Sequence, residues 1–431
     1  MKTIVTKPHT RLLSKIYLTG VLTFFFIFSW NIFAGEDVKK NKSSPEVTFK
    51  IIGSEPQPGL YKTCRRMLVG PWVHQPEEYQ GYNGFVAWPG VTRLKAGRWL
   101  LTFSSGYWHG SPPLTEEILK DPECRKLFDK WKKIGMPFIN APRGGRAHIM
   151  HSDDQGQTWS DPKTLIDTEL DDRHPTILEL DDGTLLCTIF TYRFQGVAQV
   201  RYILSQDQGQ TWSDPIELPG NAASFGNGSA ILLSDGTIVL VAELDSPKRE
   251  IGIYRSSDRG KTFKSASIVK TDHELFEPTV AELKDGRLVM ITRRNSDICW
   301  SDDGGLTWTD PVSIGVDLFD PHLLLMPNGV LACFHGSYKG GALRVILSPD
   351  NGRTWHGPGE GIGYAIDPSV YGYSHPMLLP NGTVYLVYIH TGGHKPADAR
   401  TQALWALRIR INDNADGIEI LPAPGGEELL R

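Results

Sequence analysis

One eight-residue pattern, S-x-D-x-G-x-T-[WF], constrains the fold of this chain more than any other feature, because it recurs. The five copies occupy residues 152–159, 205–212, 256–263, 301–308 and 348–355. Each copy follows a β-rich run and has the composition of a turn. In such a turn the Asp accepts hydrogen bonds from its own loop, the Gly takes a left-handed conformation and the aromatic ring closes the base of a hairpin. The pattern therefore predicts a structural turn rather than a catalytic site.

A second, independent repeat consists of an apolar strand that runs into a turn glycine. Its six units occupy residues 88–97, 174–183, 227–236, 277–286, 320–329 and 373–382. From residue 183 onwards the turn glycines recur every 43 to 53 residues, which matches one four-stranded blade per repeat. The interval before residue 183 is longer, and its excess, residues 114–136, is rich in Glu, Lys and Leu. The two repeats predict an all-β fold, a six-bladed β-propeller with a helical loop insertion in the first blade.

The first 34 residues have the pattern of a signal peptide. Basic residues at positions 2, 7, 11 and 15 precede an apolar run over 16–33, and small residues follow it. We therefore expect a secreted or periplasmic protein without a membrane span after cleavage, with 35–45 as a linker and 46–431 as one propeller domain. The alternative is an uncleaved signal anchor, since the apolar run is long enough to span a bilayer. Strand-like runs at 47–52 and 403–411 are expected to pair and close the ring.

Charge and cysteine content exclude several functions. The formal net charge is -4, and beyond the N-terminus no run of Lys or Arg is suited to a phosphate backbone, so nucleic acid is not an expected partner. The five cysteines are scattered and lack metal-ligand spacing, so neither a metal nor another cofactor is predicted. Cys187 and Cys333 lie in apolar runs and are expected to be buried thiols, whereas Cys64 and Cys124 are candidates for a disulfide.

The position nine residues before each turn glycine carries a polar or aromatic side chain. In chain order these residues are Trp88, His174, Asn227, Glu277, Asp320 and Tyr373. The innermost strands of a propeller line its central channel, so one shared register position points to one place. A packed core would carry Val, Ile and Leu there, and the set therefore predicts a site on the axis. The alternative is a solvated channel mouth.

The five turn motifs are similar to the Asp-boxes of the sialidase superfamily of propellers, and two segments resemble the active-site pattern of that family. Residues 276–279, Phe-Glu-Pro-Thr, precede Arg293 in the manner of a sialidase Glu that is paired with an Arg on the next strand. Residues 371–374, Tyr-Gly-Tyr-Ser, resemble the segment that holds the sialidase nucleophile. The resemblance implies that Tyr373 is the nucleophile, that Glu277 is its base and that Arg293 binds a substrate carboxylate.

The resemblance is incomplete at the substrate clamp, which in sialidases consists of three arginines. Residues 86–89 read Val-Ala-Trp-Pro, with no Arg where the first is expected. Arg344 lies closer to its Asp-box than expected for the third. Candidate replacements are Arg143, Arg146 and Arg173. The acid/base Asp of the family is not identified, and its candidates are Asp320 and Asp172.

Histidines are frequent in or beside the segments that face the channel. They are His109, His174, His322, His335, His375 and His390. Because imidazole exchanges protons near neutral pH, this number indicates proton transfer, for which His174 and His375 are the catalytic candidates. The predicted substrate-binding residues are Arg293, Arg344, Arg146, Arg143, Trp88, His109, Asn227, Asp320 and His322.

Three functions remain open from the sequence. The first is an exo-acting glycoside hydrolase of sialidase type that removes a terminal acidic sugar from an oligosaccharide. The second is a lyase or dehydratase that eliminates on a non-reducing-end uronic acid of a plant or algal polysaccharide, with Tyr or His as base and acid. The third is a non-catalytic glycan-binding propeller, in which Trp72, Trp88 and Trp108 would stack on sugar rings.

Overall fold

A computed structural model describes residues 43–71, 73–194, 198–226, 228–339, 341–390 and 402–425. The predicted signal peptide, most of the predicted linker, Trp72 and Asn227 lie outside these residues. The described chain is nearly all-β and forms six blades in a ring, which confirms the predicted β-propeller. Within this part of the chain, none of the helices has the length and apolar character needed to cross a membrane.

Each blade is one sheet, with its first strand nearest the axis. Blade 1 contains Phe85–Arg93, Trp99–Gly106, Arg146–Ser152 and Lys163–Ile166, and blade 2 contains Asp171–Glu179, Leu185–Tyr192, Gln199–Ser205 and Ile216–Glu217. Blade 3 contains Ala222–Ser224, Ala230–Leu232, Ile238–Leu244, Ile251–Ser256 and Lys264–Val269, and blade 4 contains Phe276–Glu282, Leu288–Arg293, Asp297–Ser301 and Val312–Ser313. Blade 5 contains Leu318–Leu325, Leu331–Ser337, Leu343–Ser348, Thr354–Gly357, Tyr364–Asp367 and Thr48–Ile51. Blade 6 contains Gly372–Leu378, Val384–Ile389, Leu404–Ile411, Ile418–Leu421 and Arg66–Val69.

The ring closes because the innermost strands of successive blades contact one another all the way round, including those of blades 6 and 1; in blade 3 the segment Ala230–Leu232 makes these contacts. The strand predicted at 47–52 forms as Thr48–Ile51, but it pairs in parallel with Thr354–Gly357 at the outer edge of blade 5. The expectation that it pairs with the C-terminal strand is therefore wrong. A later strand, Arg66–Val69, makes that antiparallel pairing with Leu404–Ile411. The two N-terminal strands thus cover the free edges of two different blades.

The Asp-box motifs form the predicted turns. In the blade 2 copy, Thr211 donates hydrogen bonds to Asp207 from its backbone N–H at 2.9 Å and from its hydroxyl at 2.6 Å. These hydrogen bonds lower the pKa of Asp207 to about 2. The equivalent backbone hydrogen bond is accepted by Asp154, Asp258, Asp303 and Asp350. The glycines of the first hairpin in the six blades have φ between +78° and +98°, which is the left-handed region that glycine adopts without strain.

The excess sequence in blade 1 forms the predicted helical insertion, with a 3-10 turn at Ile118–Lys120 and an α-helix at Pro122–Lys132. Asp121 caps the α-helix by accepting a hydrogen bond from the N–H of Cys124 at 2.9 Å. A second short α-helix, Leu60–Cys64, packs on blades 5 and 6. Cys64 and Cys124 lie in different hydrophobic clusters, and all five cysteines are buried and form no disulfide. The candidate disulfide between Cys64 and Cys124 is therefore absent.

Candidate active site

The shared register position at the start of each innermost strand has one unusual backbone conformation. Trp88, His174, Glu277, Asp320 and Tyr373 have φ of +53°, +52°, +42°, +45° and +55°, although none is glycine. In every case the pairing with the second strand of the blade shifts register at this point. Positive φ costs energy for residues with a Cβ atom and is concentrated at functional sites. Five of the six equivalent positions thus share a geometry; Asn227, the sixth, lies outside the described residues.

Three of the predicted site residues are in direct contact. The Tyr373 hydroxyl donates a hydrogen bond to Glu277 Oε1 at 2.9 Å, and Arg293 donates to the same carboxylate oxygen. Arg293 Nη1 also lies 3.5 Å from the Tyr373 hydroxyl. The second Glu277 oxygen accepts the backbone N–H of Asp320 at 2.8 Å. The arrangement therefore connects blades 4, 5 and 6 across the channel.

Electrostatics keep the Tyr373 phenol protonated in the resting site. Its side chain is buried, and burial together with the charge of Glu277 raises the pKa of Tyr373 well above its usual value, while Arg293 opposes the shift. The phenolic proton is directed at the Glu277 carboxylate. Chemically, the pair can therefore deliver a tyrosine oxygen as a nucleophile while the carboxylate takes its proton.

The opposite wall of the site is aromatic and comes from blades 1 and 2. The His174 ring stacks on Trp88 with centroids 5.0 Å apart, and the Arg173 guanidinium carbon lies 4.1 Å from the centroid of the Trp88 ring. Arg173 also donates to the backbone carbonyl of His109, whose ring lies 5.6 Å from Trp88. Burial and the charge of Arg173 lower the pKa of His174 well below its usual value, so its imidazole is neutral. These residues and the Tyr373 contacts enclose a cavity of ≈ 220 Å³.

Glu243 and Tyr338 also belong to the site, although neither is among the residues predicted from the sequence. Glu243 is 4% exposed, accepts the backbone N–H of Glu277 at 2.9 Å and pairs with Arg249 at 2.9 Å. Burial, reinforced by the nearby Glu277 charge, raises the pKa of Glu243. The Tyr338 hydroxyl accepts a hydrogen bond from Arg293. Glu243 could have been found from the sequence, because it lies seven residues after the turn glycine of blade 3. Arg293 lies at the same distance after the turn glycine of blade 4.

His322 and His375 lie deeper along the axis, in a second cavity of ≈ 230 Å³. Their rings contact each other edge to face with centroids 4.4 Å apart. Each follows a register residue by two positions, so its side chain faces the axis about 7 Å further along the strand. The structure does not place them with Tyr373.

Several other candidates are held by structural partners away from the cavity. Arg143 and Arg146 both pair with Asp167, and Arg344 donates to Glu55 and to the carbonyl of Gly363. The remaining candidates have these contacts: Asp172 accepts from Thr168, His335 contacts the Gly336 carbonyl, and His390 accepts from Trp405. Of the proposed replacement arginines, only Arg173 lines the cavity among the described residues.

Comparison with known proteins finds a matching family model and several relatives. A family model described as a BNR repeat-like domain matches residues 143–358. A sialidase of Paraclostridium sordellii is 30% identical over 246 residues, which cover 46% of this chain and 58% of that protein. The chain spans about half the length of the curated relatives it matches.

Solved structures share the fold. A protein of unknown function from Dyadobacter fermentans has a TM-score of 0.61 at 18% identity, with 83% of this chain and 98% of that chain covered. A Hadza microbial sialidase has a TM-score of 0.53 at 18% identity, with 77% of this chain and 68% of that chain covered.

Proposed function

The chain belongs to the BNR repeat-like domain family, within the sialidase superfamily, and on that basis we propose that it is an exo-acting glycoside hydrolase that removes a terminal acidic sugar from an oligosaccharide. One observation carries the proposal: the 2.9 Å hydrogen bond from the Tyr373 hydroxyl to Glu277. A binding protein has no need of a buried tyrosine directed at a carboxylate. A hydrolase that uses tyrosine as nucleophile requires this contact.

In the proposed reaction, the Tyr373 oxygen forms a bond to the anomeric carbon as the bond to the leaving group breaks. The phenolic proton passes to Glu277, and Arg293 remains beside the developing charge. The leaving-group oxygen takes its proton from solvent, because the neutral His174 imidazole has no acidic proton to donate. Water then cleaves the glycosyl–tyrosine bond and gives its proton to His174, a neutral base whose buried Nδ1 has no hydrogen-bond partner among the described residues and whose ring lies 6.1 Å from that of Tyr373. Glu277 returns the phenolic proton to Tyr373, and His174 passes its proton to solvent, which restores the resting site.

The size and charge of the cavity support removal of a single acidic sugar. Its ≈ 220 Å³ is below the roughly 300–1,000 Å³ of a typical ligand pocket, which suits one monosaccharide. Arg173 from blade 2 and Arg293 from blade 4 both line it, and a guanidinium is suited to a sugar carboxylate.

Elimination on a terminal uronic acid is the second candidate function. The neutral His174 imidazole favours this function, because it can act as a base. The cavity lining also favours it: among the described residues two arginines line the cavity, whereas the sialidase clamp requires three. In this reaction a base removes the C5 proton of the uronate while a cation neutralises its carboxylate. The C4–O bond then breaks and a 4,5-unsaturated sugar forms.

One incubation distinguishes the candidates. Purified protein is incubated with sialyl oligosaccharides and, separately, with glucuronyl oligosaccharides, and the products are separated and followed by ultraviolet absorbance. Free acidic sugar without new absorbance supports hydrolysis, whereas an absorbing unsaturated uronate supports elimination. Saturable binding without either product would contradict both and identify a binding module. We also propose export, which N-terminal sequencing of protein recovered outside the cytoplasm tests.

A further inference from the structure

The described part of the chain contains a cleft of ≈ 690 Å³, which is larger than the catalytic cavity of ≈ 220 Å³. Its described lining residues lie between Gly70 and Gly84, ahead of the first strand of blade 1, and at Gln402, ahead of the third strand of blade 6. Asn83 lies five residues before Trp88, and its N–H donates to the Gly106 carbonyl at 3.2 Å. Tyr82 packs against the hydrophobic cluster that contains Trp88 and Tyr373. The cleft and the catalytic cavity therefore share one face of the propeller.

A fixed pair of aromatic rings forms one wall of this cleft. Tyr79 and Tyr82 stack with centroids 5.5 Å apart and an interplanar angle of 20°. The Arg146 guanidinium carbon lies 3.9 Å from the centroid of the Tyr79 ring. The Tyr79 hydroxyl is hydrogen-bonded to Ser105 Oγ at 2.8 Å, and Ser105 is bonded in turn to His148 at 2.7 Å. A rigid aromatic surface of this kind suits the apolar face of a sugar ring.

Unsatisfied amide groups form another part of the lining. Gln402 is 2% exposed, yet neither its amide nitrogen nor its amide oxygen has a hydrogen-bond partner within the described chain. The side-chain oxygen of Asn83 is also buried without a partner there. Buried amides are nearly always hydrogen-bonded, because leaving them unpaired is costly. Both residues line the same cleft, so a ligand with hydroxyl groups would satisfy them.

The charge of the lining indicates which ligand the cleft takes. Among its described lining residues only Glu78 is charged, whereas the catalytic cavity is lined by two arginines and two glutamates. We propose that the Tyr82–Gln402 cleft binds the neutral sugar units that follow the terminal acidic sugar in the substrate. The inference rests on the proposed function. Binding of neutral units in the cleft makes the enzyme selective for a glycan chain rather than for an isolated acidic sugar.

The first test compares a long substrate with a short one. For the acidic sugar that the enzyme releases, kcat/KM is measured on a tetrasaccharide with three neutral units and on the aryl glycoside of the same sugar. Gln402→Leu and Asn83→Ala should each lower the tetrasaccharide value about tenfold, the loss of one or two hydrogen bonds, and leave the aryl glycoside value unchanged. Gln210→Ala, which alters an exposed amide in blade 2, should change neither value. Equal losses on both substrates, or no loss on the tetrasaccharide, would overturn the proposal.

Gln402→Leu also has a stability readout that separates ligand binding from a structural role. Replacing an unpaired buried amide with an apolar side chain of similar size should leave the unfolding temperature equal or higher. A lower unfolding temperature would mean that the amide has a structural partner, and the assignment would fail.

A binding measurement keeps the cleft testable if no acidic glycan is turned over. Saturation-transfer NMR is recorded with cellotetraose, xylotetraose and lacto-N-tetraose as neutral probes. Signals from the wild-type protein that disappear in Tyr82→Ala and in Gln402→Leu, but not in Gln210→Ala, would support the cleft while the proposed function fails. No signal from any of the three probes would overturn the cleft itself.

Discussion

Substitution of the two residues that meet at the 2.9 Å hydrogen bond should separate chemistry from stability. In the wild-type protein one Glu277 oxygen accepts hydrogen bonds from Tyr373 and Arg293, and the other accepts the Asp320 N–H. In Glu277→Gln a single side-chain oxygen has to replace both. Whichever way the amide is oriented, its NH2 group faces a donor. In Tyr373→Phe, by contrast, the phenolic oxygen is removed and the ion pair of Glu277 with Arg293 remains.

The expected magnitudes follow from these contacts. Loss of a general base costs about 10²–10⁴ in rate, or about 3–5 kcal/mol, so both variants should lose turnover by at least about 10²-fold. Removing one partner of a buried ion pair costs about 3–5 kcal/mol of folding free energy. We expect a cost near the lower of these values for Glu277→Gln, because the Arg293 and Glu277 side chains are 20% and 12% exposed. Tyr373→Phe removes one hydrogen bond, worth about 1 kcal/mol. Glu277→Gln should therefore be clearly less stable than Tyr373→Phe.

The assay measures kcat on the substrate identified above, together with the denaturant midpoint of unfolding. Glu282→Gln, on the same strand as Glu277, and Tyr254→Phe, at a buried tyrosine of blade 3, serve as matched controls. Both should retain full turnover. Full activity in Glu277→Gln or Tyr373→Phe would refute their assigned roles, and equal midpoints for these two variants would refute the ion-pair reasoning.

Three further substitutions have defined outcomes. Glu243→Gln should lower kcat about 10²-fold, since Glu243 orients Glu277 through its backbone N–H; unchanged kcat would contradict this role. Asp207→Ala should lower the denaturant midpoint and leave kcat unchanged, because its hydrogen bonds hold only an Asp-box turn. Burial lowers the pKa of His335 and His375 to about 4. Below about pH 6.5 the unfolded chain therefore binds more protons than the folded protein, so the free energy of unfolding should fall as the pH is lowered from about 6.5 to 4. His335→Gln removes one of these groups and should make the denaturant midpoint less dependent on pH in that range.

The register of the blades was determined by the sequence, because every signal it depends on is local. An Asp-box closes its hairpin with hydrogen bonds between residues two to four positions apart, and a turn glycine is needed wherever φ is positive. Counting back from the turn glycines therefore selected the positions that share a left-handed backbone, Glu277 and Tyr373 among them. Counting seven residues forward from the turn glycine of blade 3 likewise selects Glu243.

The tertiary structure alone decided which of these side chains meet. Strand alternation cannot distinguish Tyr373 from His375, since both face the axis, and only the depth of each residue along the channel separates their cavities. Edge pairing is equally non-local: the strand at 48–51 had two blade edges available and joined blade 5. Arg173, unlike Arg143, lines the cavity because blades 1 and 2 pack side by side, and no spacing within the chain records that packing.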